Sequence, residues 1–285
     1  MAGLGTGQHT GTTLATTIPK IWASRMNDYF RNALYGANFF TDLSSELGGG
    51  GSQLLIPTLS AMTANVKTNG SQVTLNGQTY GSVTLSCDTW KEVSFLIEDR
   101  EAQQVMHSYF LQERLMKNAA FEAAKALEVA IFTLFSDGSF TQTQGTSATA
   151  VADSDIRGAI KQLDAANVAF EGRAFFFTPK VLWTDIMALD RFTLLTNTNG
   201  ADPVLKGSVG RLYGIPVYET TNLVNVAGSS GSALAHKEAI VWAATLMRTQ
   251  SQYLQDYLGT LVTADILYGV KVNYATAGVW IKTAS

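Results

Sequence analysis

The chain has 285 residues, 46% hydrophobic and 15% charged, with a net charge of −3; that length can bury a substantial core, and the charged fraction falls below the roughly 25% of an average soluble domain. A single cysteine, Cys87, excludes an internal disulfide framework and a cysteine-based zinc site, so packing alone must hold the fold. No Lys/Arg cluster suits a phosphate backbone, no charged start with an apolar core marks a signal peptide, and the longest apolar run, residues 239–247, is about half of the roughly 20 residues a membrane helix needs.

Residues 1–17 are rich in Gly and Thr and have little to bury, which predicts a mobile or partner-ordered arm. From Ile18 to Phe40, Trp22, Met26, Tyr29, Phe30 and Leu34 recur at helical spacing, giving a short amphipathic helix whose aromatic rings need a surface. The four glycines of "ELGGGGSQLLIP", residues 46–57, form a hinge. Beyond it, Gln53–Lys67 and Val83–Ile97 read as two long strands, the second carrying Val83, Leu85 and Cys87, then Val93, Phe95 and Ile97. The Asn69-Gly70 and Asn76-Gly77 pairs between them signal a hairpin. Such a ribbon is marginal alone in water and must lie against something.

Glu98–Phe135 keeps a helical period without Pro or Gly, with Val105, Tyr109, Met116, Ala119, Ala120, Ala123, Leu127, Ala130, Ile131 and Leu134 on one broad face and Asp137-Gly138 as its stop. At about 1.5 Å per residue it forms a spine of roughly 57 Å. A polar loop at 139–152 precedes a helix from Asp153, a strand "RAFFFTP", a helix from Pro179 and the loop "NTNGADPVLKGSVG". In "GRLYGIPVYETTNL", residues 210–223, Gly210 and Gly214 turn the chain into a strand packed by Ile215, Val217 and Tyr218, and Glu219–Asn222 carry it into a loop. In the tail, Val270, Val272 and Tyr274, then Val279 and Ile281, are the clearest strand signals.

Catalytic patterns are missing from the sequence. His9, His107 and His236 lack metal-ligand spacing, and HExxH, GxSxG and Walker motifs do not occur. Glu92, Glu98, Asp99 and Glu101 read as solvent-facing charges at the start of the spine, Asn69-Gly70-Ser71 as turn chemistry, and Cys87 as a small core residue. No catalytic, cofactor-binding or metal-binding residue is assigned.

The order of elements, with "KEVSFLIEDREAQQ", "GRLYGIPVYETTNLV", "AHKEAIVWA" and "GTLVTADILYGVKVNYATAGVWIKT", resembles the major capsid proteins of tailed bacteriophages. The resemblance implies an α+β, HK97-like capsid fold: an N-terminal arm at 1–45, an E-loop hairpin at 46–97, a discontinuous P-domain with a long spine helix at 98–140 and 262–285, and an A-domain at 141–261. It implies a structural, non-enzymatic protein of the virion, assembled in the host bacterial cytoplasm. Copies would form the pentamers and hexamers of an icosahedral shell around double-stranded DNA, without sequence-specific DNA binding, cofactor or membrane. Its further implied partners are a portal protein at one vertex and a decoration or cement protein. Because the chain begins at Met1 with no long preceding segment, a separate scaffolding protein is also expected. The candidate inter-subunit contacts are Trp22, Tyr29 and Phe30 in the arm, Tyr80 and Trp90 on the E-loop, and Glu219, Thr220, Thr221 and Asn222 entering the 220–232 loop near a capsomer axis. Some relatives crosslink an E-loop lysine to a P-domain asparagine, and Lys67 or Lys91 with Asn273 match those residue types only. An encapsulin-like nanocompartment shell shares the fold and stays open, as does a soluble α+β enzyme, which would need a catalytic cluster.

Overall fold

The computed structural model describes residues 34–47, 52–60, 62–101, 111–136, 138–147, 149–189, 210–223 and 229–284. The described chain enters through a four-residue helix, α1 (Gly36–Phe39), and a short strand, β1 (Thr41–Asp42). Strands β2 (Gln53–Leu59) and β3 (Tyr80–Ser86) make a ribbon, and β4 (Thr89–Glu98) leads through a helical turn at Asp99–Glu101 to the spine helix α2 (Leu111–Ser136). Then come β5 (Gln142–Gly145), α3 (Asp153–Ala165), β6 (Arg173–Phe177), the hairpin of β7 (Arg211–Leu212) and β8 (Ile215–Glu219), and β9 (Ser229–His236). The chain closes with β10 (Ile240–Leu254), β11 (Gly259–Val272) and β12 (Gly278–Ala284).

Among the described residues one sheet has six strands, in the order β5-β12-β9-β6-β8-β7. Its centre follows from "RAFFF": a strand without polar alternation belongs where both faces are covered. Ala174 and Phe176 join the core built on α2, while Phe175 and Phe177 join a second core with Ile156, Ala159 and Leu163 of α3. The buried Arg173 is not left unpaired, which would be costly. Its guanidinium sits 2.7 Å from the Asp164 carboxylate and donates to the carbonyl of Ala169 at 2.9 Å. Strands β7 and β8 join through Tyr213 and Gly214, with φ of +52° and +81°, the backbone of a tight hairpin turn. Gly214 turns the chain as expected, but its companion is Tyr213 and not Gly210. The Tyr213 hydroxyl donates to Asp153 at the start of α3, which ties the turn down.

A second sheet runs β1-β10-β11-β4. Its two long strands, of 15 and 14 residues, pair antiparallel from Ile240↔Val272 to Leu254↔Gly259. Ile266 and Tyr268 turn one face towards Leu127, Ile131 and Phe132 of α2, and the Tyr268 hydroxyl donates to the Ala126 carbonyl at 3.3 Å. The core on α2 therefore draws on both sheets.

Several expectations are corrected. The continuous strand Val83–Ile97 breaks at Cys87-Asp88, so that β3 belongs to the ribbon and β4 to the four-stranded sheet. The break lies where Cys87 is buried with Leu47, Leu85, Val241 and Ala243, and where the chain crosses β11 at Gly269. The first ribbon strand pairs only as far as Leu59, and the apex turn falls at Asn69-Gly70, where the Ser71 amide donates to the Thr68 carbonyl at 3.2 Å. The polar loop at 139–152 contains β5, which pairs in parallel with β12. The segment from Pro179 winds as a π turn (Val181–Asp185) and a 3-10 turn (Ile186–Ala188). Tyr274 lies past the end of β11. Strand β12 completes the six-stranded sheet, while β10 and β11 pair with each other, so the sheets do not divide at residue 261/262. On the spine, Ala119, Leu127 and Ile131 are buried as expected, but Ala120 is exposed and Phe132, Phe135 and Glu128 are buried instead. Val105 and Tyr109 lie outside the described residues.

Candidate inter-subunit surfaces

The polar groups that could carry chemistry have structural partners. His236 accepts the Glu238 amide at Nδ1, 3.3 Å away, so in the neutral ring Nε2–H donates to the Glu171 carbonyl at 3.0 Å. Among the described residues no group of His, Cys, Asp and Glu could hold a metal ion. Lys67 folds back onto the carbonyls of Thr68 and Ser71 at the ribbon tip, and the Asn273 side chain donates to the Glu238 carbonyl at 3.4 Å. Burial, and then the neighbouring Asp88 charge, push the Cys87 thiol above its ordinary pKa. Thiolate is the reactive form and reaching it requires local opening, so iodoacetamide at pH 8 should label Cys87 about 100-fold more slowly in the folded subunit than in denaturant. Equal rates by mass spectrometry would show that this core is open.

The ribbon is the first surface. Leu54 and Ile56 pack its base against the cluster around Leu85 and Cys87. Beyond the last pair, Leu59↔Tyr80, the two arms are linked by the Ser60 amide on the Thr79 carbonyl and by Asn65 on Asn76 at 2.7 Å. This outer half exposes Met62, Val66, Val73, Leu75 and Tyr80, with Val66 at 95% and Leu75 at 88% of full accessibility. A row of bare aliphatic side chains on a two-stranded ribbon is a candidate interaction surface.

The face of the four-stranded sheet turned away from α2 is the second. Alternation places Trp90 and Glu92 of β4, Leu261, Thr263 and Asp265 of β11, and Gln250 and Gln252 of β10 along a groove of about 710 Å³. The Trp90 indole donates to the Asp265 carboxylate at 3.2 Å, which orients a ring still 66% exposed. At the end of this sheet the β10–β11 turn exposes Tyr253, Tyr257 and Leu258, the last in the left-handed region with φ +44°. The Tyr253 hydroxyl donates to Asp99 at 2.7 Å, and that hydrogen bond raises the phenol above its ordinary pKa.

The nine residues expected at contacts divide three ways. Tyr80 and Trp90 are exposed but apart, one at the outer end of the ribbon and the other on the four-stranded sheet. Glu219 and Thr221 face solvent, whereas Thr220 and Asn222 are buried in their own subunit: the Thr220 amide donates to the Phe177 carbonyl at 2.9 Å, and its hydroxyl accepts the Asn222 amide at 3.2 Å. Trp22, Tyr29 and Phe30 lie outside the described residues, as do residues 224–228 of the 220–232 loop. Sequence reasoning missed the groove around Asp265. The polar alternation through Gln250, Gln252, Thr263 and Asp265 was its available signal.

A family model described as phage capsid protein matches residues 95–281, about two thirds of the chain. Among solved structures, that of Mycobacterium phage Che8 is similar at a TM-score of 0.81 and 22% identity, covering 93% of this chain and 96% of that one. The capsid of cyanophage P-SCSP1u is similar at 0.77 and 15% identity, covering 99% and 97%. The capsid of a native GTA particle is similar at 0.66 and 13% identity, covering 99% and 100%. Among curated protein sequences, none matches this chain. No helix among the described residues is long and apolar enough to cross a membrane.

Proposed function

The chain belongs to the phage capsid protein family, and we propose that its copies close into the pentamers and hexamers of an icosahedral shell around double-stranded DNA. It is a structural capsid protein of the virion with an HK97-like fold, not an enzyme, and its family favours a phage shell over an encapsulin-like compartment. The observation that carries the assembly reading is the ribbon, whose outer half holds its aliphatic side chains in water. A subunit with such an extension reaches its lowest free energy only when a neighbour covers it.

On this reading the ribbon is the E-loop, laid over the spine and four-stranded sheet of the next subunit. The P-domain comprises α2 with β4, β10 and β11, and the A-domain is the six-stranded sheet with α3, its loops after Glu219 directed to the capsomer axis. Obligate interfaces of roughly 2,000 Å² or more, at about 25 cal/mol per Å² of apolar area, supply tens of kcal/mol gross before ordering costs. A separate scaffolding protein, a portal at one vertex and a decoration or cement protein complete the set of partners, with assembly in the host cytoplasm. The net charge of −3 suits an inner surface that contains DNA without gripping it.

Purified protein under assembly conditions should form hollow shells or capsomers by negative-stain microscopy; a stable monomer throughout would reject the reading. Trp90→Ala should lower the melting temperature of the free subunit by only about 2–6 °C, the cost of one hydrogen bond to the buried Asp265 lost from a ring that is otherwise largely exposed. The same change should lower the denaturant concentration at which shells dissociate, as followed by sedimentation. Shells of unchanged stability would remove Trp90 from the contact.

A further inference from the structure

We propose that Glu128 is a latch, a buried carboxylate on the spine helix that grips the root of the N-terminal arm by its backbone amides and fixes where that arm joins the subunit. Glu128 is 0% exposed, and its neighbours Leu127, Ile131 and Phe132 belong to the main apolar core. One of its oxygens, Oε1, accepts the amides of Tyr35 at 2.8 Å and Gly36 at 2.9 Å, while Oε2 accepts those of Gly36 at 2.8 Å and Ala37 at 3.2 Å. These amides sit at the start of α1, where helical bonding supplies no partner, and the side chain of Tyr35 does not cap them. The cap comes instead from 92 residues away. Among the described residues no cationic side chain pairs with Glu128, so hydrogen-bonded amides compensate the buried charge.

Gly36 makes the fit possible. A Cβ at that position would lie 2.9 Å from Oε2 and 3.3 Å from the Phe132 ring, so a side chain there displaces the carboxylate or the root. The root also touches the rest of the fold on every side. Trp242 donates from its indole to the Ala37 carbonyl at 3.2 Å, Tyr35 lies 5.1 Å from the Tyr218 ring, Phe39 lies 5.3 Å from Phe176, and β1 pairs with β10. One short segment thus ties the spine to both sheets at the point to which residues 1–33 are tethered. Releasing it would break several charge-assisted hydrogen bonds together and leave a carboxylate against apolar side chains, which makes the latch closed or open with little between.

The test is amide hydrogen exchange on unassembled subunits, a readout independent of the shell reading. In E128Q, where an NH₂ replaces one acceptor and opposes an amide donor, exchange at Tyr35–Ala37 should accelerate about 30-fold or more while α2 and β6 keep their protection. G36A retains the carboxylate and should give the same local pattern, which keeps the test open if E128Q does not fold. Unchanged exchange at Tyr35–Ala37 in the folded variants overturns the latch. Protection lost equally across α2 and β6 also overturns it, by reducing Glu128 to a general core residue. The consequence for assembly rests on the shell reading: variants with released roots should form few shells or shells of mixed diameter. Wild-type-like shells from a variant with accelerated exchange would overturn the latch's role in assembly and leave the shell reading intact.

Discussion

Phe176→Ala should remove about 3–5 kcal/mol from the stability of the subunit, a large share of the roughly 5–15 kcal/mol that holds a typical domain. The ring is fully buried on the central strand of the six-stranded sheet. It meets Phe132 of the spine edge-on at 5.2 Å, Phe39 at 5.3 Å, Tyr218 at 5.6 Å and Phe40 at 5.8 Å. Truncation therefore opens a cavity where the spine, the sheet and the root of the arm converge, and rigid elements on three sides resist its collapse. The melting temperature should fall by on the order of 10 °C. A loss below about 1 kcal/mol in urea titration would mean that the site repacks freely and that this cluster does not join the three elements.

Gly269→Ala should act on presentation of the ribbon as well as on stability. A Cβ at Gly269 would overlap the Ser86 carbonyl oxygen and come within 3.0 Å of the Cys87 Cα. Those are backbone atoms at the corner where β3 gives way to β4, so no side-chain rotation relieves the clash. The corner must lift from β11, withdrawing Leu85 and Cys87 from their cluster with Val241 and Ala243. Overpacking of this kind costs about 1–3 kcal/mol. The distinctive result is faster proteolysis and Cys87 alkylation at the ribbon base, with poor shell formation, while the core around Phe176 stays intact. Normal alkylation together with normal shells would show that the corner adapts to the methyl group.

Part of this fold is legible because its cause is local. The run of three phenylalanines at 175–177 has no polar alternation and announces a strand covered on both faces; Ile156, Ala159 and Leu163 announce the inward face of α3. The ribbon followed by a long helix is legible for the same reason, the helix being described over Leu111–Ser136. The candidate contacts were less so. Trp90 was assigned to the hairpin because the alternation from Val83 to Ile97 continues through it, whereas the partner of β4 is β11, registered from Tyr268↔Thr89 to Gly259↔Glu98. Thr220 and Asn222 looked like loop-tip residues because their composition is polar, and only their hydrogen bonds to Phe177 and to each other explain their burial.

Glu128 marks the division most clearly. In sequence it is a charge interrupting an apolar helical face between Leu127 and Ile131; in three dimensions it is a cap for amides 92 residues earlier. By itself the sequence determined a ribbon followed by a long helix, the strand at 173–177, the helix from Asp153 and the absence of recognised catalytic motifs, since period and composition act over a few turns or a few strand residues. The tertiary structure alone decided which strands share a sheet, where the ribbon ends, which polar residues are buried and what caps the amides of Tyr35–Ala37. Those outcomes depend on partners from tens of residues away, such as Thr220 on Phe177, to more than a hundred, such as Cys87 under Ala243 and Trp90 on Asp265, and no short-range pattern encodes such contacts.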